Sequence, residues 1–253
     1  MSIEATRNGF EDSFREAEFY NKQTQDAEHL KNILAIIDVK PGMKILDLGC
    51  GSGYLTFPMA ASWESAHIIG LDIVADTLKQ NALKAQEMGI KNLEFVAYDG
   101  MEFPFADASF DLVVSRYALH HFPEIEKSIG EVSRVLKENG RFFISDPRPN
   151  ACDTTRFVDD YMQLKKDGHI KFYTGEEWIQ ICGTWDMHLM NAFDSQIRFP
   201  KKKSTAKGIE AILAKHEKFI IDSYHLTEIE EELWITEQVN NLLFEKNEQT
   251  PYR

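Results

Sequence analysis

The stretch Ile45-Leu46-Asp47-Leu48-Gly49-Cys50-Gly51-Ser52-Gly53 constrains this chain more than any other segment. A short aliphatic run ending in an acid reads as a buried parallel strand. The three glycines at alternate positions let the backbone turn sharply and approach a ligand closely, because no Cβ stands in the way. Their G-x-G-x-G spacing differs from the G-x-G-x-x-G fingerprint, in which a pyrophosphate rests on a helix N-terminus. An acid at Asp47 would oppose a phosphate and suits a ligand bearing an amino group.

The downstream order carries further weight. Ile68-Ile69-Gly70-Leu71-Asp72-Ile73 is a second apolar run ending in an acid, with Asp72 nineteen residues beyond Gly53. In nucleotide-binding α/β folds an acid about 20 residues on accepts hydrogen bonds from ribose hydroxyls. A carboxylate suits a vicinal diol because it carries only acceptors. Asp72 also fits as a helix N-cap, since a helical segment from Asp76 to Met88, closed by Gly89, follows it. Leu93 to Tyr98 alternates like a strand and ends at Asp99-Gly100-Met101, where Asp99 also fits a turn. Phe110 to Ser115 reads as a fourth strand, followed by Arg116-Tyr117-Ala118-Leu119-His120-His121-Phe122. A helix after Pro123 runs towards Leu136, and a turn at Gly140 leads into a fifth strand. Such alternation predicts a parallel sheet with right-handed crossovers. Ligands of these sheets bind at the carboxyl ends of the strands, where Asp47, Asp72, Asp99 and Arg116 all fall.

In order and spacing these segments resemble the motifs of class I S-adenosylmethionine-dependent methyltransferases, in the style of the type 11 and quinone-biosynthesis C-methyltransferase subgroup, over about residues 30 to 146. The resemblance implies a Rossmann-like α/β fold with a seven-stranded, mostly parallel sheet in the order 3-2-1-4-5-7-6. Helices would lie on both faces, and helical N-terminal and C-terminal elaborations would cover the site. It implies S-adenosylmethionine as cofactor and S-adenosylhomocysteine as product. Cofactor contacts would come from Gly49, Gly51 and Gly53, from Asp47, from Asp72 with Ile73, and from Asp99, Gly100 and Met101 around the adenine. Arg116 would offer its backbone carbonyl to the cofactor's ammonium; its side chain equally suits a carboxylate. Tyr20 would wall the pocket or pack one helix on another. His121, beside His120 and just past the fourth strand, would meet the acceptor as a base, or pack against the next helix. Asp159, Tyr161, His169 and Trp178 are further candidates for the acceptor's surroundings.

The reading favours methyl transfer by in-line displacement to a small-molecule O- or C-nucleophile. A non-catalytic cofactor-binding regulator remains the alternative, and an NAD-linked oxidoreductase is weakened by the glycine spacing. Ser115-Arg116-Tyr117-Ala118 is unlike the Asn/Asp-Pro-Pro-Tyr/Phe motif of DNA amino-methyltransferases, and it lacks the acid of aminopropyltransferases. A formal charge of −13 disfavours nucleic acid. Lys201-Lys202-Lys203 is expected to be a solvated loop. Cys50, Cys152 and Cys182 are too few and scattered for a zinc cluster or a disulfide framework, and no metal site is expected. No apolar run approaches the roughly 18 residues of a membrane span, and the start lacks a signal-peptide pattern, so a cytoplasmic protein is expected. The organisation expected is a helical cover over 1–40, a methyltransferase core over 41–200, and inserted helices with a final strand over 201–253. Beyond Pro149, helix is expected from Phe157 to Lys166 and from about Thr174. A strand is expected over Met187–Phe193, mostly helix from Ser204 to Leu233, and a last antiparallel strand over Val239–Phe244, where helix is also compatible with the periodicity.

Overall fold

Successive side chains of a strand point to opposite faces, and here both faces are apolar. Leu46 and Leu48 enter one buried cluster while Ile45 enters another. Phe142 and Ile144 likewise part from Phe143. Strands of this kind need helices on both sides, and the chain supplies them.

The computed structural model describes residues 3, 4, 7, 26–164, 168–202 and 208–248. Tyr20 lies outside them. The strands are β1 (Lys44–Leu48), β2 (His67–Asp72), β3 (Leu93–Ala97), β4 (Phe110–Arg116), β5 (Leu136–Arg148), β6 (Met187–Lys202), β7 (Thr227–Ile229) and β8 (Glu232–Lys246). They form one sheet in the order β3-β2-β1-β4-β5-β8-β6, with β7 paired to β8. The first five strands are parallel, and β8 runs antiparallel between β5 and β6. This is the expected seven-strand order, with β8 in the place of the expected seventh strand and β7 as an added short strand.

Helices α1 (Ala27–Ile37) and α2 (Thr56–Ser62) cover one face, placing Ile33, Ile37 and Met59 against Ile45 and Val114. On the other face α4 (Ile125–Val135) and α6 (Gly175–Gly183) bury Ile129, Val132, Trp178 and Cys182 against Leu46 and Phe142. Between them in the chain, α3 (Ala75–Glu87) links β2 to β3, and Gly89 at φ 69 lets the chain leave it. At the start of α6, Thr174 and Glu177 form a reciprocal capping box that satisfies two end donors.

A third cluster joins α5 (Phe157–Met162) to α7 (Ile209–Lys215), α8 (Lys218–Ser223) and Ile235 of β8. Polar pegs fix it. The Asp153 carboxylate takes the backbone N–H groups of Phe157 and Val158 at 2.8 and 3.0 Å, and Tyr224 Oη donates to it at 2.7 Å. His216 lies 2.7 Å from Thr155 Oγ1 and 2.8 Å from Asp160 Oδ2, tying α7 to α5.

The C-terminal part departs from expectation in four ways. Thr227–Ile229 and Glu232–Leu233 are strand rather than helix, because they close a hairpin on β8. The strands β6 and β8 run well past the expected segments, and α5 ends at Met162. Lys201 is no solvated loop residue: it lies in β6, buried, with Nζ donating to the Tyr161 carbonyl at 2.7 Å.

Candidate functional site at the carboxyl ends of the parallel strands

The loop after β1 is folded by its glycines. Gly49, Gly51 and Gly53 have φ of 70, 48 and 84°, a region costly for residues with a Cβ. A Cβ on Gly49 would lie 2.5 Å from Ala118 Cβ, so the loop presses against the segment leaving β4. Gly49 N–H donates to the Leu71 carbonyl at 2.8 Å, and Gly51 N–H to Asp72 Oδ2 at 2.8 Å. The carboxyl ends of β1, β2 and β4 are thereby drawn together around one loop.

The acids sit in three environments. Asp47 is buried and accepts from Thr56 Oγ1 at 2.5 Å; burial raises its pKa to about 7, against the lowering effect of that bond. Asp72 is also buried, and burial raises its pKa, opposed by the bonds from Val74 and Gly51. Its Oδ1 takes the Val74 N–H at 3.0 Å, but the helix that follows begins at Ala75 with Val74 as its N-cap, so Asp72 is not the helix cap. A carboxylate has about four acceptor positions, so two backbone donors leave it able to receive a diol. Asp99 is exposed, and its Oδ1 takes the N–H groups of Met101 and Glu102 at 2.8 and 3.3 Å, which hold its pKa low. A Cβ on Gly100 would meet Ile3 Cγ2 at 2.8 Å and Ile73 Cγ2 at 3.4 Å, so Ile73 and Gly100 are neighbours. Met101 is among the exposed large apolar residues.

Arg116 ends β4 with its guanidinium over two rings, 3.8 Å from the centroid of Tyr54 and 3.9 Å from that of Tyr117. Its charge acts on the Asp47 carboxyl. The next residues form a tight 3₁₀ turn, Leu119–His121, and bury both histidines. The rings of His120 and His121 are 4.0 Å apart, and His120 Nδ1 lies 2.8 Å from Asp146 Oδ1. Burial raises the Asp146 pKa to about 8, while His121 and His169 oppose the rise. Tyr161 and Trp178, candidates for the acceptor's surroundings, are instead fully buried in packed clusters.

Sequence reasoning missed Asp146, Thr56, Tyr54 and Asn81, whose Nδ2 donates to the Gly51 carbonyl at 2.7 Å. Asp146 had a readable signal, an acid towards the carboxyl end of a strand like those of β1 and β2. Among the described residues, no group of three or more His, Cys, Asp or Glu has an arrangement that could hold a metal ion.

The site fits a ligand that combines a cation with a diol. Buried acceptor-only groups face the loop, and the backbone there is held open by positive-φ glycines. A methyltransferase-domain family model, Methyltransf_31, matches residues 39–250. The chain is 31% identical over 169 residues to the uncharacterized methyltransferase YcgJ of Bacillus subtilis, covering 65% of each chain. It is 34% identical over 112 residues to a demethylmenaquinone methyltransferase of Bacillus cereus, covering 44% of this chain and 47% of that one. A sterol 24-C-methyltransferase of Gibberella zeae is 36% identical over 138 residues, 53% of this chain and 36% of that one. The chain thus spans less than two thirds of the length of each of these relatives. The crystal structure of YcgJ shares the fold, with a TM-score of 0.75 at 22% identity over 88% of this chain and all of that one. Among the described residues no helix is long and apolar enough to cross a membrane. The family match over most of the chain places this chain among the class I S-adenosylmethionine-dependent methyltransferases.

Proposed function

We propose that this chain transfers the methyl group of S-adenosylmethionine to a small-molecule oxygen or carbon nucleophile. The observation that carries the reading is the convergence of Gly51, Asp72 and Asp47 on one loop, with His121 on the adjoining turn. Asp72 would accept from the ribose diol. Asp47 and the Arg116 carbonyl would face the ammonium. Asp99 with Gly100, Met101 and Ile73 would flank the adenine. When bound, the cofactor supplies a methyl sulfonium, an electrophile with an excellent leaving group. The protein's part is then to align the acceptor, exclude water and remove a proton where the acceptor carries one. His121 is proposed for that proton. The demethylmenaquinone and sterol 24-C-methyltransferases are named for small-molecule acceptors, which supports the same class here.

Calorimetric titration with S-adenosylmethionine, S-adenosylhomocysteine and NAD in parallel tests the cofactor reading. Saturable binding of the first two is expected, and binding of NAD alone would overturn it. Release of S-adenosylhomocysteine with phenol, hydroquinone and small-acid acceptors then separates an enzyme from a regulator.

The raised pKa of Asp47 gives a pH dependence with a definite sign. Below about 7 its carboxyl is mostly protonated and attracts a cation weakly; above, it is ionised. The cofactor's α-amino group stays charged to about pH 7.7, so affinity should rise between about pH 6 and 7.5. Binding in that window should release a proton, seen as a dependence of the measured enthalpy on buffer. Asp47→Asn should abolish both effects, and an unchanged profile in that variant would remove Asp47 from the ammonium site.

A further inference from the structure

A cluster of three imidazoles lies beside the proposed acceptor position. His120 and His121 leave the turn after β4 with their rings 4.0 Å apart and tilted by 46°, and His169 comes from the segment between α5 and α6. The His169 ring centroid is 5.5 Å from that of His120 and 6.3 Å from that of His121. Two carboxyls touch the cluster: Asp146 Oδ1 contacts His120 Nδ1 at 2.8 Å, and Asp159 Oδ1 contacts His169 Nε2 at 2.9 Å. Asp159 is itself fixed, taking the Phe172 N–H at 2.8 Å and pairing with Arg156 Nε at 2.8 Å. The N–H groups of Ile170 and Lys171 donate to the His120 carbonyl, so the segment carrying His169 is stitched to the turn it approaches. All three rings and both acids are buried. Holding a loop in place requires one such polar peg, whereas a buried cluster of three titratable rings with two acids is costly unless protonation is part of its use.

We propose that His169, anchored by Asp159, is a positioning residue that fixes the ring and protonation state of the His120–His121 pair, so that the three imidazoles take up protons as one unit. The inference rests on the reading of His121 as the base in methyl transfer. In that step the acceptor's O–H or C–H proton passes to the His121 imidazole. The electron pair left behind forms the bond to the methyl carbon, and the pair of the broken sulfur–carbon bond remains on sulfur as a thioether. The positive charge lost at sulfur reappears as imidazolium. Rings this close cannot all be charged, and the Asp146 and Asp159 carboxyls that touch His120 and His169 are the groups with which a proton taken up by the cluster is shared. The other charged or titratable groups near the cluster are Arg156 on the approach to α5, the Lys171–Glu177 pair at 2.5 Å, and Tyr173.

The test is a pH titration of the histidine ring signals by NMR in the S-adenosylhomocysteine complex, with His169→Gln and Asp159→Asn as variants. In the unsubstituted protein the three rings should share inflections rather than titrate singly. In His169→Gln the midpoints of His120 and His121 should move by about one pH unit or more, with S-adenosylhomocysteine affinity unchanged. Asp159→Asn should move them in part. Independent one-proton curves in the unsubstituted protein, or unmoved midpoints in folded His169→Gln, overturn the proposal. If His169→Gln does not fold, the unsubstituted protein's curves decide alone. Failure of S-adenosylhomocysteine to bind would instead sink the cofactor reading, and the ring titrations of the free protein would still decide the coupling.

Discussion

Asp72→Ala is expected to weaken S-adenosylmethionine binding about ten- to hundredfold, the equivalent of one buried charge-assisted hydrogen bond worth about 1.5 to 3 kcal/mol. Two losses combine. The proposed acceptor for the ribose hydroxyls disappears, and the Gly51 N–H, which Asp72 Oδ2 holds at 2.8 Å, is left without that partner. The glycine loop then loses the bond that ties it to β2, so the cradle loosens as well. Asp72→Asn separates the two effects. An amide keeps one acceptor oxygen but turns an –NH₂ towards one of two backbone donors, Gly51 or Val74, so it should weaken binding almost as much. Calorimetry on each variant, with circular dichroism to confirm folding, measures this. An unchanged dissociation constant in a folded Asp72→Ala protein would refute the ribose assignment.

The parts of the fold that could be read from the sequence are those whose signal is local. Ile45–Leu46, Ile68–Leu71 and Leu112–Val114 are continuous apolar runs because both faces of a parallel strand are buried, and each is followed directly by a polar residue, Asp47, Asp72 and Ser115. The glycines after β1 are equally legible, since a chain that turns back against Ala118 at positive φ admits little else. The C-terminal third hides its pattern. In β8 the buried residues include Thr236, Glu237, Asn240 and Asn241, and polar groups at core positions blur any alternation of apolar and polar. The two asparagines find partners far away in sequence: Asn240 donates to the Tyr173 carbonyl, and Asn241 accepts from His29 through Oδ1 and donates to Ser195. The β7–β8 turn carries Glu230, at φ 55°, where glycine or asparagine would have announced a hairpin. A run of glutamates there reads as helix.

The same distinction runs through the site. Asp47, Asp72 and Asp99 stand at or just past the carboxyl ends of strands and announce themselves by position. His169 and Asp159 lie far along the chain, and only the packing of α5 brings them to the turn after β4. Nothing local marks Lys201 as buried either, since three lysines in a row look solvated until the strand turns one of them under the third cluster.

His121→Ala is expected to lower methyl transfer to a protic acceptor by about 10² to 10⁴-fold, the usual contribution of a general base. The dissociation constant of S-adenosylmethionine should stay as it was, because the ribose, ammonium and adenine contacts are proposed elsewhere. The split between turnover and affinity is informative because His121 is buried, with its ring 4.0 Å from that of His120. Removing it leaves a cavity, and a residue that only packs would act through stability, lowering the melting temperature without a special effect on transfer. The cavity also offers a control: imidazole added to the variant can occupy the space and restore part of the rate, with a pH dependence set by its own titration. Release of S-adenosylhomocysteine, followed with an acceptor that the unsubstituted enzyme methylates, gives the readout. Full turnover in the folded variant would return His121 to a packing role and leave the displacement to alignment alone, as suits an acceptor that arrives already deprotonated.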